Sequence, residues 1–222
     1  MLLLNPSAPS QTRVDSALTA LLGTDPSTIA FDLDRLRPAA VPAQFRDRVI
    51  ASLPPDGRVK KLNPAQRAKL ASLEPILRLQ KRQGVYEFPV YEDRKAFVGL
   101  HFGAAVLISE AALNLLDPEE LQALVAHEIG HEYVWAQHQA AEKQNDSRRL
   151  KELELVCDGV AILTLRRVGV DPNYLVSGLE KVIRLNRTLA GQSDNDSAYP
   201  SLDERKKFAQ AVMGRNAGPL SR

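Results

Sequence analysis

Apolar positions recur at helical spacing most clearly after Asp117. Leu121, Leu124, Val125 and Ile129 make one stripe, which predicts an amphipathic helix. Its start is well marked. Asp117 can cap it, Pro118 suits the first helical position, and Glu119 and Glu120 favour the positive end of the helix dipole. A second helix is predicted over 146–168, DSRRLKELELVCDGVAILTLRRV, with Asp146 or Ser147 as cap and Gly169 after its last turn. A third is predicted over 64–83, capped by Asn63, with Leu70, Leu73, Ile76 and Leu77 inward and a kink at Pro75. Shorter helices are expected at Val14–Leu22, at Asn173–Leu189 after Asp171-Pro172, and from Leu202 to Met213. Residues 85–91, 95–100 and 104–109 read as strands.

The polar stretches set the boundaries. Residues 1–12 and the loop 191–198 are rich in Ser, Asn and other turn formers, and half of the chain's 14 prolines precede residue 56. Residues 1–60 are therefore expected to form a partly flexible arm or wrap, 61–213 the main domain, and 214–222 a flexible tail. Net charge is only +2, with acids set among the bases, so nothing calls for nucleic acid. A single cysteine, Cys157, excludes an internal disulfide framework. No apolar run approaches the ~20 residues of a membrane-spanning helix. Met1-Leu2-Leu3-Leu4 is too short for a signal-peptide core. A soluble protein is expected, either cytoplasmic or exported and lacking its signal.

Chemistry enters on the first helix. His127-Glu128-Ile129-Gly130-His131 puts two imidazoles one turn apart on one face, where both can reach one ion. Glu128 stands beside them, placed to take a proton from a metal-bound water. Gly130 between the histidines admits two readings, a close approach by another backbone or simple helical tolerance.

A catalytic zinc usually has three protein ligands and an open position. His138, seven residues past His131, falls roughly 10 Å further along a helix axis, too far for the same ion. His101 sits in a strand-like region and reads as a packed or surface residue. The longer metzincin pattern is absent, since Val134 and Gln137 stand where it needs Gly and His. That leaves a carboxylate from the second helix. Glu154 and Asp158 lie four apart on one face, and Asp158 falls among core-like residues, where a buried acid needs a partner. Glu154 as third ligand with Asp158 orienting a ligand histidine meets that need. A solvated Glu154 and an Asp158 that caps a loop fit the same pattern.

His-Glu-x-x-His followed by Glu-x-x-x-Asp resembles the gluzincin metallopeptidases of the HtpX, Oma and CAAX-prenyl-protease group. The resemblance implies zinc as cofactor, Glu154 as its third ligand and a role beside it for Asp158. Near the C-terminus that group commonly has His-Pro, four residues, then Arg. Here Tyr199-Pro200 and Arg205 match, with Tyr in place of His. Lys95–Phe97 and Val106–Ser109 resemble the strand pair before the active-site helix. The likeness spans about residues 62–213, with Tyr199 for His and Cys157 for Ala as its departures.

The reading is an α+β, zincin-like fold, mostly helical with a small antiparallel sheet and an active-site helix. The function expected is a zinc-dependent endopeptidase acting on peptides or unfolded proteins. His127, His131 and Glu154 would hold Zn2+, with Glu128 as base and Tyr199 as oxyanion donor. Asp158 and Arg205 would support them, Arg205 pairing with an acid near the site. Ala104–Ser109 could offer the sheet edge on which substrate extends, or be a purely structural strand. An alternative is a zinc-stabilised chaperone-like or binding module with little proteolysis. A third is a peptidase kept latent by the arm.

Overall fold

A computed structural model describes residues 9–22, 31–190 and 199–215. Among these the chain runs through α1 (Pro9–Leu22), α2 (Leu33–Leu36), α3 (Ala43–Ser52), α4 (Pro64–Ala71), α5 (Glu74–Leu79), β1 (Val90–Tyr91), β2 (Val98–His101), β3 (Ala105–Ser109), α6 (Glu110–Leu115), α7 (Pro118–Tyr133), α8 (Trp135–Lys143), α9 (Ser147–Val168), α10 (Asn173–Ala190) and α11 (Leu202–Met213). The molecule is mostly helical with one three-stranded sheet, consistent with the expected α+β class.

The core is organised around α9. Every residue from Glu152 to Leu165 is buried, polar ones included. A helix covered on all sides needs neighbours on all sides. Here α1, α5, α7, α8 and α11 supply them. Both ends of α9 follow the sequence, with Asp146 accepting from the Arg149 N–H and Gly169 closing the last turn at φ 77°. The N-terminal helix belongs to this core, since Val14, Ala17, Leu18 and Leu21 are buried in it. Leu21 sits where a Cβ at Gly159 would be, 2.7 Å from its Cδ2, so only glycine lets α1 this close to α9.

Two expected elements differ in form. The single helix over 64–83 is two helices, α4 and α5. Asn63 caps the first with a capping box to Gln66, as expected. Pro75 then has no N–H to continue the α4 ladder, so a new helix starts around it. Leu73, Ile76 and Leu77 are buried nonetheless. The sheet is mixed rather than antiparallel. Its order is β1-β3-β2, with β2 antiparallel and β1 parallel to β3. The chain reverses twice between β1 and β3, so they run the same way, and β3 takes the middle place that a meander would give β2. Ala104–Ser109 is therefore an inner strand without a free edge, and the edge expected there belongs to β2. The loop 191–198, residues 1–8 and most of the tail lie outside the described residues.

α2, α3, α6 and α8 are helices beyond those expected. α8 matters for the site. The helix from Pro118 does not run on through His138, because it breaks at Val134 (φ −117°, ψ 11°) and α8 leaves in a new direction. No proline or glycine marks the break. Among the described residues, no helix is long and apolar enough to cross a membrane.

Candidate metal centre

α7 and α9 lie against each other at Gly130. A Cβ there would stand 2.8 Å from the Cα of Cys157 and 3.0 Å from its carbonyl oxygen. Close backbone approach is the reading of Gly130 that holds. It sets His127 and His131 directly over Glu154 and Asp158.

The two imidazoles are used alike. The Nε2 of His127 lies 3.5 Å from Glu154 Oε2, and the Nε2 of His131 lies 3.6 Å from Glu154 Oε1. Their Nδ1 atoms turn the other way. His127 Nδ1 is 2.8 Å from Asp158 Oδ1, a close contact that lacks the angle of a hydrogen bond. His131 Nδ1 is 3.6 Å from the Cys157 sulfur. Arg205, buried at the start of α11, locks the acids together. Its Nη1 donates to Asp158 Oδ1 at 2.6 Å and its Nη2 to Glu154 Oε2 at 3.0 Å. The expectation that Arg205 pairs with an acid near the site is met by two acids at once.

Glu128 is held by the sheet. The backbone N–H of Leu100 on β2 donates to its Oε2 at 2.8 Å. Burial pushes its carboxyl up to about 7. Burial also opposes charge on His127, but Asp158 and Glu154 outweigh it and raise the ring to about 10. His131 goes the other way, to about 4, because burial and the positive His127 both disfavour its proton. Burial works against the ionised Glu154 too, yet His127, Arg205 and His131 hold it well below the usual carboxylate range. The Cys157 thiol is pushed up by burial and the surrounding acids, so it stays neutral and acts as a small core residue.

The donor set fits a divalent cation such as zinc. Two imidazoles one turn apart and the buried Glu154 carboxylate between them are the nitrogen and oxygen donors that zinc takes. Zinc bonds of 2.0–2.2 Å in a tetrahedron put donor atoms about 3.3–3.6 Å apart. The His–Glu154 separations already have that size. Among the described residues, candidate ligand atoms form two overlapping triples, His127–Glu128–His131 and His131–His138–Glu154, each within 4.8 Å.

The cleft over these residues is lined by Lys95–Leu100, by Leu179, Val182, Ile183 and Asn186 of α10, and by Trp135, His138 and Tyr199. No described residue before Lys95 lines it. Tyr199 lies at its mouth, 59 % exposed. Burial of the rest of the residue, with Glu154 and Glu128 nearby, raises its hydroxyl above the ordinary value. His101 is outside the cleft and packs on Phe102, with ring centroids 4.6 Å apart.

Three features escaped sequence reasoning. These are the Leu100 N–H on Glu128, the pairing of Asn186 with Ala96, and the return of His138 to the site. Asn186 accepts from the Ala96 N–H and donates to its C=O, both at 2.8 Å. All three depend on contacts between elements far apart in the chain or on an unmarked helix break.

The family model of peptidase family M48 matches residues 66–169, which include His127, Glu128, His131, Glu154 and Asp158. No curated protein shows significant similarity to the chain.

Proposed function

We propose that this chain, a peptidase family M48 member through residues 66–169, is a zinc-dependent endopeptidase that hydrolyses peptides or unfolded protein segments. The observation that carries the reading is one buried carboxylate, Glu154, turning an oxygen to each of two Nε2 atoms at 3.5 and 3.6 Å, with Glu128 alongside. His127, His131 and Glu154 would hold the ion. When bound, zinc lowers the pKa of water towards neutrality and polarises the scissile carbonyl.

The protein's own groups account for the rest. Glu128, beside the two histidines in the cleft, is placed to accept a proton from the attacking water and return it to the leaving amine. The Leu100 N–H fixes which of its oxygens is free, leaving Oε1 for the proton. Asp158 braces His127 through Nδ1, and Arg205 braces both acids. Tyr199 would donate its hydroxyl to the oxygen that becomes negative in the transition state.

Substrate would lie along β2. Bonds between Phe97 and Ser109 put Val98 and Leu100 at alternate positions of the ladder, so their backbone groups face away from β3; the Leu100 N–H is taken by Glu128, which leaves the Val98 groups and the Leu100 C=O for a peptide. An extended peptide can add there as another strand. Asn186 already fills the edge at Ala96, which ends the run on that side. The apolar wall of α10 and the exposed Trp135 favour substrates with apolar side chains near the scissile bond.

The test pairs metal analysis with digestion of an unfolded protein such as casein. Wild type should hold about one zinc per chain and cleave. Glu128→Gln should keep the zinc and lose turnover by about 10²–10⁴-fold, because an amide cannot accept the proton. A Glu128→Gln protein that digests casein at the wild-type rate refutes the mechanism.

A further inference from the structure

His138 lies outside the three-ligand set, and on a continuous helix it would share the face of His131 but stand roughly 10 Å further along the axis, out of reach. The break at Val134 changes that. α8 turns back towards α9, and the His138 ring comes to 5.6 Å from the His131 ring, edge to face. One ring nitrogen of His138 lies within 4.8 Å of ligand atoms on both His131 and Glu154. The side chain lines the same cleft as Glu128 and Tyr199.

Its far side matches that of His127. His138 Nδ1 faces the Glu142 carboxylate at 3.6 Å, one turn along α8. His127 likewise turns Nδ1 to Asp158. At 3.6 Å the pair is longer than a hydrogen bond, and a small approach would let Glu142 accept from Nδ1–H and leave the other nitrogen as a donor to a metal. The ring is also partly buried, with 23 % of its side chain exposed, so it is confined towards the cleft.

We propose that His138 is a fourth protein ligand to the ion held by His127, His131 and Glu154, with Glu142 as its positioning residue. The inference rests on the metal reading above. A tetrahedral ion needs donors about 3.3–3.6 Å apart, so the 4.8 Å limit closes by a change of side-chain rotamer and a small shift of α8. Four protein ligands close the position that water must take. His138 would therefore compete with water, and the centre would open when α8 yields. A donor on a short helix joined to α7 through the break at Val134 is suited to yield, unlike donors fixed in α7 and α9.

The experiment measures zinc affinity by chelator competition and records the visible d–d spectrum of the cobalt-loaded protein. His138→Ala and, as a gentler change, His138→Gln are compared with wild type and with His101→Ala, a histidine outside the cleft. Folding of each is checked by circular dichroism. Expected are a loss of affinity of about 10–100-fold in both His138 variants, a cobalt spectrum altered in shape and intensity, and no change in His101→Ala. Glu142→Gln should move affinity in the same direction by less. Folded His138 variants with wild-type affinity and spectrum overturn the proposal. So does unchanged affinity with lower kcat, which assigns His138 to the transition state instead. A wild-type protein that takes up neither metal refutes the metal reading itself, an outcome distinct from both.

Discussion

The centre has a floor and a rim, and they are built differently. The floor is α7 against α9 with Arg205 beneath, where His127, Glu154, Asp158 and Arg205 are each 5 % exposed or less. Its charges are paired at 2.6–3.0 Å and its helices touch at a glycine. The rim is Tyr199 at 59 % and Trp135 at 40 % exposure, with His138 on a helix that begins after a break. Buried charges tolerate no loose partner, so the floor has one arrangement. The rim can shift without exposing an unpaired charge. Metal geometry should therefore depend on the floor and substrate handling on the rim.

Arg205→Ala tests the floor hardest. It strands two buried carboxylates, and breaking such a set costs about 3–5 kcal/mol. Urea midpoints should show the loss, and zinc binding should fall with it because Glu154 is no longer held. Arg205→Lys should recover only part, since an ammonium cannot fork to both acids. A variant with a wild-type midpoint would mean that the floor is not held by its charges.

Gly130→Ala comes next. The added methyl pushes on the Cys157 backbone, and overpacking of this kind costs about 1–3 kcal/mol. Calorimetry should record the lower Tm, and zinc affinity should drop as α7 and α9 separate. Affinity left intact despite lower stability would show that the ligands adapt, which blurs floor and rim.

Tyr199→Phe probes the rim. A fully enclosed donor is worth about 10²-fold or more, but a half-open one is worth less, so kcat should fall about tenfold. Zinc content and Tm should not change. A kcat within about twofold of wild type assigns the oxyanion to another donor.

The smallest effect is expected at Arg13, whose Nη2 reaches Glu204 at 2.6 Å and ties α1 to α11, the helix that carries Arg205. Burial opposes ionisation of Glu204, but the Ser201 N–H, Arg13 and the Ser201 hydroxyl outweigh it and hold the carboxyl below the usual range. A lowered folded pKa stabilises above the unfolded value, ~4.3 for Glu, and that stability is lost as pH falls through the folded value. Arg13→Ala should cost about 0.5–1 kcal/mol at pH 7. The gap from wild type should shrink below pH 4 in urea titrations. A gap that does not change with pH would assign Arg13 a packing role only.

Local signals fixed what depends on neighbours along the chain. Asp117-Pro118 and the stripe through Ile129 marked α7, and four-residue spacing put His127 beside His131 and Glu154 beside Asp158 on their helices. The cap at Asn63 lies within one turn of its partner and was readable for the same reason. Tertiary structure decided the rest. The middle place of β3 arises from pairing between strands, which the pattern of each strand does not encode. Leu100 reaches Glu128 across 28 residues, and Arg205 reaches Glu154 across 51. Such contacts form only once helices and sheet have packed; the Pro200…Arg205 match pointed to an acid for Arg205 without saying which, and nothing near Leu100 announces its bond to Glu128. The break at Val134 belongs with them. Three of the chain's four histidines lie between 127 and 138, and a bend with no local marker brought the third of these beside the other two.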